Sequence, residues 1–214
     1  MDVKLQRRQG TCFIDVAFQS DEKGITALFG PSGAGKSSII NMVAGLQKPD
    51  HGSVFIRGRC LFDSGRGLDL PPEKRNVGYV FQESLLFPHL SVKSNLLYGR
   101  RRGQPGPGRV DFDQVVNLLG LNALLARRPK ALSGGEKQRV AFGRAVLSNP
   151  DILLMDEPLA SLDEARKEEL LPFIRDLNAR FNIPVLYVSH SLEEIHALTG
   201  HIIKLADGKI VKTP

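Results

Sequence analysis

The stretch Gly30-Pro31-Ser32-Gly33-Ala34-Gly35-Lys36-Ser37 decides the fold of this 214-residue chain. Its spacing is G-x-x-x-x-G-K-S, in which the glycines allow backbone N–H groups to converge on a phosphate. The apolar run Ile25-Thr26-Ala27-Leu28-Phe29 before it is typical of a buried strand, and the residues from Ser38 to Gly45 indicate a helix that ends at a glycine. A strand, a glycine-rich loop and a helix in this order predict an α/β fold that binds a nucleotide.

Each residue type in this loop has a chemical reason to be there. The Lys36 ammonium suits a bridge between β- and γ-phosphate oxygens, and the Ser37 hydroxyl suits Mg²⁺. The nucleotide contacts are therefore predicted at Gly30, Pro31, Ser32, Gly33, Ala34, Gly35, Lys36, Ser37 and Ser38.

A second short apolar strand, Ile152-Leu153-Leu154-Met155, leads directly into Asp156 and Glu157. Ligand-binding groups lie at this end of the strands in an open α/β sheet. Asp156 suits the Mg²⁺ shell, which takes one or two carboxylates plus phosphates and waters. Glu157 is the candidate for polarising the attacking water, and Pro158 makes the chain turn there. The alternative is that two acids merely end a strand at a solvated edge, which is not expected in register with a phosphate-binding loop.

The segment Leu132-Ser133-Gly134-Gly135-Glu136-Lys137-Gln138, here called the signature segment, is an unusual helix start. Ser133 and Glu136 have the S-x-x-E spacing of a capping box. Gly134 and Gly135 weaken the helix by about 1 kcal/mol each relative to alanine, but they leave the first N–H groups accessible to a phosphate. The segment is therefore either an ordinary capped helix or a second phosphate-binding element.

In their order along nearly the whole chain, these motifs resemble the ATP-binding subunits of ABC transporters. Three further residues match that family, namely Gln82 at the end of a strand, Asp163 in a Ser-Leu-Asp turn, and His190 after an apolar strand. The resemblance implies that Gln82 senses Mg²⁺ and the attacking water, that His190 contacts the γ-phosphate, and that Asp163 lines a dimer seam. Without the other motifs, Gln82 and Asp163 would be interpreted as surface turn residues. His190 precedes a second S-x-x-E helix start at Ser191, so from position alone it could simply end a strand.

The resemblance thus assigns roles to a defined set of residues, with ATP and Mg²⁺ as the ligands. The implied catalytic residues are Lys36, Gln82, Glu157 and His190. The implied Mg²⁺ ligands are Ser37, Gln82 and Asp156. Besides the phosphate loop, the implied ATP contacts are Ser133, Gly134, Gly135, Glu136 and Asp163.

The implied fold is an α/β P-loop NTPase of the ABC ATPase type, with a RecA-like core, an N-terminal antiparallel β part and an inserted α-helical subdomain. Residues 12–18 and 53–57 alternate like half-buried antiparallel strands. After Gln82 the pattern becomes helical at 92–98, 112–119 and 121–125, and from the signature segment to Leu147. A helix at about 164–181 and strands near Val185 and Ile202 follow. We expect a single domain over 1–214, with the helical subdomain at about 83–150.

Composition restricts the remaining classes of function. The net charge of +6 is compatible with nucleic acid, with an anionic membrane surface or with neither. The run Arg100-Arg101-Arg102 contains no aromatic residue for base stacking, so no nucleic-acid partner is expected. The Arg/Gly/Pro-rich residues 100–109 predict a solvated spacer loop. No run of about eighteen apolar residues is present, and the residues after Met1 lack the pattern of a signal peptide. Cys12 and Cys60 stand far apart and are expected to be reduced.

The resemblance also implies partners. In this family the signature segment and the phosphate loop of one chain are too far apart to share a nucleotide, so a second copy related by a two-fold axis places each signature over the other copy's ATP. Integral-membrane permease subunits are expected to dock near Gln82 and residues 87–90, although Leu85, Leu86 and Phe87 could also be ordinary core. A periplasmic or surface solute-binding protein would act through the permease. The expected location is the cytoplasmic side of the inner membrane, as a peripheral subunit.

The transported solute is the least determined feature. Residues 70–82 and 86–90 resemble the bacterial importer branch, and residues 170–173 and 186–192 are most similar to ATP-binding subunits of molybdate importers. No residue of such a subunit touches the transported ion, so importers of sulfate, iron(III), polyamines or sugars stay open. Cassettes that act on DNA carry long coiled coils and those that act on ribosomes carry two cassettes, so both are disfavoured. A binding-only module is opposed by Lys36, Asp156, Glu157 and His190 together.

Two features depart from the family pattern. An aromatic residue usually stacks on adenine, but the corresponding neighbourhood here is Leu5-Gln6-Arg7-Arg8, where either Arg7 or Arg8 could stack instead. Molybdate-type subunits also commonly continue into a C-terminal oxyanion-binding regulatory domain. We expect that domain to be absent from this sequence, either because it was removed or because this member lacks it.

Overall fold

A computed structural model describes residues 1–10, 12–20, 23–100 and 110–211. The strands are β1 (Asp2–Gln9), β2 (Cys12–Gln19), β3 (Ile25–Phe29), β4 (His51–Ile56), β5 (Arg59–Asp63), β6 (Leu68–Asp69), β7 (Val77–Val80), β8 (Ile152–Asp156), β9 (Val185–Ser189), β10 (Ile202–Ala206) and β11 (Lys209–Val211). The helices are α1 (Lys36–Ala44), α2 (Pro72–Arg75), α3 (Val92–Leu97), α4 (Phe112–Leu118), α5 (Gly134–Leu147), α6 (Glu164–Phe181) and α7 (Leu192–Leu198). Two short 3₁₀ turns, Asn122–Leu124 and Pro129–Ala131, lie between α4 and α5.

The strands of the described residues form one mixed sheet in the order β6-β5-β4-β1-β2-β11-β10-β3-β9-β8-β7. The strands from β10 to β7 in this order are parallel, and those from β6 to β2 are antiparallel. Strand β11 joins the two parts, because it pairs antiparallel with β10 and parallel with β2. The carboxyl ends of β3, β8 and β9 therefore meet at one edge, where a ligand site is expected.

The central parallel strands are buried on both faces. In β8, Leu153 and Met155 join the core that includes α3 to α7, whereas Ile152 and Leu154 join the core around α1 and the N-terminal strands. Successive side chains of a strand point to opposite faces, so an unbroken apolar run is needed where helices cover both sides. This requirement explains why β3, β8 and β9 are short apolar segments rather than alternating ones.

Between β7 and β8 the chain is helical, and α3 packs closely against α5. Gly143 of α5 permits this approach, because a Cβ atom there would lie 2.6 Å from Leu96 Cδ2 and 3.1 Å from Leu119 Cδ1. The buried Asn95 amide of α3 accepts a hydrogen bond from Phe87 N–H (2.8 Å) and donates to the carbonyls of Phe87 and Ser91 (both 3.1 Å). The loop that follows β7 is therefore anchored to α3.

The α/β class with an antiparallel N-terminal part is confirmed, and α6 has the predicted bounds. Strand β1 and the β5–β6 hairpin were not predicted, and the helix predicted at 121–125 is only a 3₁₀ turn, Asn122–Leu124. The predicted spacer loop at 100–109 lies outside the described residues apart from Arg100. Within the described part of the chain, no helix combines the length and apolar composition that crossing a bilayer requires.

Candidate functional site

The phosphate loop connects β3 to α1 as the sequence predicted. Gly33 and Gly35 have φ angles of 82° and 96°, a region that glycine occupies at no steric cost, and Gly35 is the N-cap of α1. The N–H groups of the first turn of a helix lack intrahelical partners and point toward the loop. The Lys36 side chain is 4% exposed, and its ammonium donates to the carbonyls of Gly30 (2.7 Å) and Pro31 (3.0 Å). The loop thus holds a buried cation at a helix N-terminus.

Asp156, at the end of β8, lies beside the first turn of α1. The Ser37 hydroxyl donates to Asp156 Oδ1 at 3.0 Å. The Tyr79 hydroxyl of β7 lies 2.8 Å from Asn41 Oδ1 and 3.4 Å from Asp156 Oδ2. Burial raises the pKa of Asp156, while the hydrogen bond from Ser37 opposes that rise. Burial is also the main reason that the pKa of Tyr79 is raised. The two predicted ligands Ser37 and Asp156 therefore present adjacent oxygen atoms.

Glu157 adopts a backbone conformation that non-glycine residues rarely take. Its φ angle is 45°, and its N–H donates to the Val188 carbonyl of β9 at 3.0 Å. The turn directs one carboxylate oxygen to 3.8 Å from the Lys36 ammonium and the other to 3.0 Å from His190 Nδ1. Strain of this kind persists only where the surroundings enforce it, and it clusters at functional sites. The register of β8 and β3 with β9 is what brings Lys36, Glu157 and His190 together.

A cleft of about 510 Å³, here called the phosphate-loop cleft, opens beside these residues. Its lining residues are Gln9, Cys12, Ile14, Ser32, Gly33, Gly35, Lys36, Ser37, Ser38, Gln82 and Glu157. The volume is in the range of small-molecule and cofactor sites. Gln82 is exposed and contributes to the wall, so all four predicted catalytic residues lie in or next to one cleft.

Three lining residues were not predicted. Gln9 and Cys12 flank the turn between β1 and β2, and Ile14 follows in β2. The Gln9 side-chain oxygen Oε1 accepts hydrogen bonds from Ser38 Oγ of α1 (3.2 Å) and from Gln47 Nε2 (3.3 Å), which ties the end of β1 to α1 and to the residues that follow it. Neither Arg7 nor Arg8 lines the cleft in the described structure.

Both of these arginines have other contacts. The Arg8 guanidinium lies 5.8 Å from the centre of the Phe13 ring, and Arg7 donates to the Lys48 carbonyl. The residue of β1 that lines the cleft is Gln9, one position after Arg8. The only sequence signal that could have distinguished these neighbours is that successive residues of a strand point to opposite faces.

The signature segment forms the predicted capping box at the start of α5. Ser133 N–H donates to Glu136 Oε2 (2.7 Å), and Glu136 N–H donates to Ser133 Oγ (3.2 Å). The backbone hydrogen bond from Ser133 is the main reason that the pKa of Glu136 is lowered. Ser133 and Gly134 are exposed, and a Cβ atom on Gly135 would meet no atom within 4 Å. The helix start is therefore open to solvent.

Asp163 begins the neighbouring helix α6. Its Oδ1 atom accepts from Arg166 N–H at 3.0 Å, and its side chain is 60% exposed. A Cβ atom on Gly134 would lie 3.3 Å from Leu162 Cδ2, so the starts of α5 and α6 are adjacent. Among the described residues that line the phosphate-loop cleft, none comes from residues 133–136 or from Asp163. The predicted ATP contacts thus fall into two separate groups on this chain.

The segment after Gln82 is attached to α5 by residues that the sequence did not single out. Arg144 donates to the carbonyls of Leu85 (2.9 Å) and Ser84 (3.2 Å). The Ser84 hydroxyl donates to the buried Gln138 Oε1 at 2.6 Å. Ser84, two residues after Gln82, is therefore bound to α5, the helix that begins at the signature segment.

Beside this segment lies an aromatic groove of about 320 Å³, lined by Val77, Gly78, Tyr79, Phe81, Leu85, Phe87, Tyr98, Gly99, Arg144, Ala145 and Ser148. Leu85 and Tyr98 are 53% and 63% exposed, which is unusual for large apolar side chains in such proximity. The Phe87 and Tyr98 rings lie 4.1 Å apart, and the Arg144 guanidinium lies 5.4 Å from the Phe87 ring centre. Leu86, in contrast, packs against the helical core.

Comparisons with known proteins agree with this geometry. A protein of Rhodospirillum rubrum named molybdenum import ATP-binding protein ModC is 56% identical over 210 residues, a match that covers 98% of this chain and 56% of that protein. A Vibrio cholerae protein of the same name is 51% identical over 209 residues, with 98% and 56% covered. The chain thus spans somewhat more than half the length of these curated relatives.

Solved structures show the same fold. The dimeric structure of the ATP-binding cassette MJ0796 in a post-hydrolysis state, bound to ADP and Pi, superposes with a TM-score of 0.77 at 28% identity. That match covers 99% of this chain and 96% of the other. The family model described as ABC transporter matches residues 13–160, which is more than half of the chain. The resemblance seen in the motifs is confirmed, and the chain belongs to the ABC transporter family.

Proposed function

We propose that this chain is the ATP-hydrolysing subunit of a bacterial molybdate importer. The observation that carries the proposal is that Lys36, Glu157 and His190 meet beside the Ser37–Asp156 pair in the phosphate-loop cleft. The names of the relatives from Rhodospirillum rubrum and Vibrio cholerae support the solute and the direction of transport.

The triphosphate of ATP fits the phosphate loop. Anions are stabilised at the N-terminus of a helix, and α1 begins where Gly33 and Gly35 expose backbone N–H groups. The buried Lys36 ammonium now has two neutral carbonyl acceptors and one carboxylate at 3.8 Å. Phosphate oxygens would offer it shorter, charge-assisted hydrogen bonds. Residues 30–38 are therefore the proposed triphosphate contacts.

Mg²⁺ fits the oxygen atoms on the other side of the loop. Ser37 Oγ and Asp156 Oδ1 are 3.0 Å apart, and Mg²⁺ prefers such hard oxygen ligands together with phosphates and waters. Gln82 lines the same cleft and is the proposed third protein ligand. When bound, the ion would neutralise charge on the phosphate oxygens.

Hydrolysis requires a water molecule that is oriented toward the γ-phosphorus. Glu157 is the proposed group that accepts a hydrogen bond from this water, because its carboxylate lies between Lys36 and His190. His190 Nδ1 lies 3.0 Å from Glu157 Oε2 and donates to it, so Nε2 can also donate to the γ-phosphate when both ring nitrogens carry a proton. The water oxygen bonds to phosphorus as the bond to the β-phosphate oxygen breaks, one water proton stays on the inorganic phosphate and the other is released to solvent, and ADP is the second product.

The proposed active unit is a dimer. Residues 133–136 and Asp163 are exposed or half-buried and lie outside the phosphate-loop cleft of their own chain. In a pair of copies related by a two-fold axis, these residues of each copy would face the γ-phosphate of the ATP bound in the phosphate loop of the other. Two ATP molecules would then be enclosed between the copies. The structures of MJ0796, which this fold matches, are dimeric. ATP binding would close the pair and hydrolysis would reopen it.

The aromatic groove is the proposed docking site for a helix of the permease. Phe81 lines this groove and its neighbour Gln82 lines the phosphate-loop cleft, so consecutive residues connect the two surfaces. Leu85 and Tyr98 offer exposed apolar area to an apolar helix, and the half-buried Arg144 lines the same groove. Through the permease, the chain would be held at the cytoplasmic face of the inner membrane and coupled to a solute-binding protein.

The enzymatic part of the proposal is tested with Lys36→Ala. We expect ATP turnover to fall at least about 10²-fold, the scale of removing one preorganised group that stabilises developing charge. Lys74→Ala, at an exposed lysine outside the cleft, is the matched control and should keep normal turnover. Near-normal turnover of Lys36→Ala would overturn the assignment of the phosphate loop.

The solute is tested by uptake in cells that lack this chain. We expect uptake of labelled molybdate to be lost and uptake of sulfate to be retained, with restoration by the wild-type chain but not by Lys36→Ala. Loss of sulfate uptake with normal molybdate uptake would reject molybdate as the solute.

A further inference from the structure

One buried carboxylate near the site has no part in the chemistry described so far. Glu194, in the first turn of α7, is 6% exposed. Its Oε2 atom accepts hydrogen bonds from the hydroxyls of Tyr187 and Ser189, both at 2.9 Å. Its Oε1 atom lies 3.3 Å from the Lys167 ammonium. A buried charge is costly unless it is paired and hydrogen-bonded, and here one carboxylate joins three separate elements.

This carboxylate does not complete the capping box that the sequence suggests. Ser191 Oγ accepts from Glu194 N–H at 3.3 Å, as expected for an N-cap. The reciprocal donor, Ser191 N–H, instead binds Ser189 Oγ at 3.0 Å. The Glu194 side chain is therefore directed into the protein, toward β9, rather than back to its own helix start.

The two residues on either side of His190, Ser189 and Ser191, are linked through the hydroxyl group of Ser189. Ser189 Oγ donates to Glu194 and accepts from Ser191 N–H. The His190 side chain is 56% exposed, so little packing restrains it apart from its contact with Glu157. Ser189 is also paired with β3, but its hydrogen-bond link to Ser191 depends on the direction in which its hydroxyl donates, and Glu194 accepts that hydrogen bond.

The same carboxylate connects His190 to the helix that Asp163 starts. Lys167, in the first turns of α6, contacts Glu194 at 3.3 Å and Glu164 at 2.8 Å. Lys167 N–H also donates to the Asp163 carbonyl at 3.0 Å. Glu194 thus links Ser189, the residue before His190, to Lys167 in the helix that Asp163 starts.

We propose that Glu194 is a positioning residue that holds His190 against Glu157 and couples its placement to the start of α6. This inference rests on the proposed function, because it requires His190 to act on bound nucleotide. Glu194 does not itself reach the phosphate-loop cleft, so its effect on catalysis passes entirely through His190 and its two neighbours.

The test is steady-state ATP hydrolysis by Glu194→Gln in the full chain. We expect kcat to fall about 10-fold, less than the roughly 10²-fold that a 1 Å misplacement can cost. The KM for ATP should stay within about twofold, since the phosphate loop is untouched. Glu193→Gln, at the exposed preceding residue, is the matched control and should show wild-type kcat and KM.

A double-mutant cycle separates positioning from a general structural effect. If Glu194 acts through His190, adding Glu194→Gln to His190→Ala should lower kcat no further. An equal loss in both backgrounds, or an unchanged kcat in the single variant, would overturn the proposal. If Glu194→Gln fails to fold, Ser189→Ala replaces it in the cycle with the same expected and contradicting results.

Failure of the proposed function would look different. If the wild-type chain did not hydrolyse ATP, or if His190→Ala kept full turnover, the assignment of the site would be wrong before Glu194 is considered. If His190→Ala loses turnover and Glu194→Gln does not, the positioning proposal alone is rejected.

Discussion

Replacing Arg75 tests whether a buried charge holds the C-terminal end of the phosphate-loop helix. Its guanidinium is fully buried, and Nη1 donates to the carbonyls of Met42 (2.8 Å) and Val43 (3.0 Å) in the last turn of α1. Nε donates to the Leu70 carbonyl at 2.7 Å, and Nη2 donates to Asp69 at 2.8 Å. Burial lowers the pKa of Arg75, whereas Asp69 opposes that effect. One side chain therefore satisfies four acceptors.

The loss in free energy of unfolding caused by Arg75→Met follows from the hydrogen bonds that the four acceptors lose. The Met42 carbonyl still accepts from Gly45 N–H at 3.2 Å, and Asp69, which is 36% exposed, can turn to water. The carbonyls of Val43 and Leu70 lose this donor, at about 1–3 kcal/mol each. Loss of a cation at a helix C-terminus adds roughly 0.3–1 kcal/mol. We expect a total of about 4 kcal/mol.

Urea unfolding followed by circular dichroism measures this loss. A change of about 4 kcal/mol should also lower the midpoint of thermal unfolding by roughly 10 °C in a chain of this size. Arg59→Met is the matched control, because Arg59 is 47% exposed, donates to the Lys74 carbonyl (2.6 Å) and lies 3.9 Å from Asp151. Its cost should stay below about 1 kcal/mol. A loss of less than about 1 kcal/mol for Arg75→Met, or one equal to the control, would refute the reasoning.

Two further substitutions address the signature segment and the aromatic groove. Ser133→Ala removes an N-cap, so the free energy of unfolding should fall by about 1 kcal/mol, and ATP-driven dimerisation and turnover should weaken as well. If the variant loses stability but closes and hydrolyses ATP normally, Ser133 is only a helix cap. Phe87→Ala should reduce both pull-down of the permease and transport-coupled ATPase activity, while basal ATPase activity is retained. Unchanged pull-down and coupling would reject the groove as the docking site.

The site residues that could be predicted from the sequence belong to a short motif or directly follow a strand. The spacing of Lys36 and Ser37 within the glycine-rich loop dictates their geometry, and Asp156 and Glu157 must leave the sheet where β8 ends. The capping box at Ser133 needs only four consecutive residues, and it is present. Such features depend on short-range geometry that the residue order determines.

The parts that were missed depend on register and on distant backbone groups. Gln9 reaches the cleft only because β1 and β2 form a hairpin beside the loop, which a short alternating pattern does not specify. Arg75 binds carbonyls about thirty residues away, and carbonyl groups carry no signal in the sequence. At Glu194 the S-x-x-E pattern suggested a capping box, but the hydroxyls of Tyr187 and Ser189 compete for the carboxylate once β9 is in place.

The central claim is that one chain carries half of each ATP site, and Glu157→Gln tests it most directly. Removing the charge of Glu157 should allow ATP to bind without being hydrolysed, so the closed pair should accumulate. Size-exclusion chromatography with light scattering should show a dimer in saturating ATP and a monomer in ADP, and adding Lys36→Ala should abolish the dimer. A Glu157→Gln chain that binds ATP and remains monomeric at saturating ATP would contradict the account.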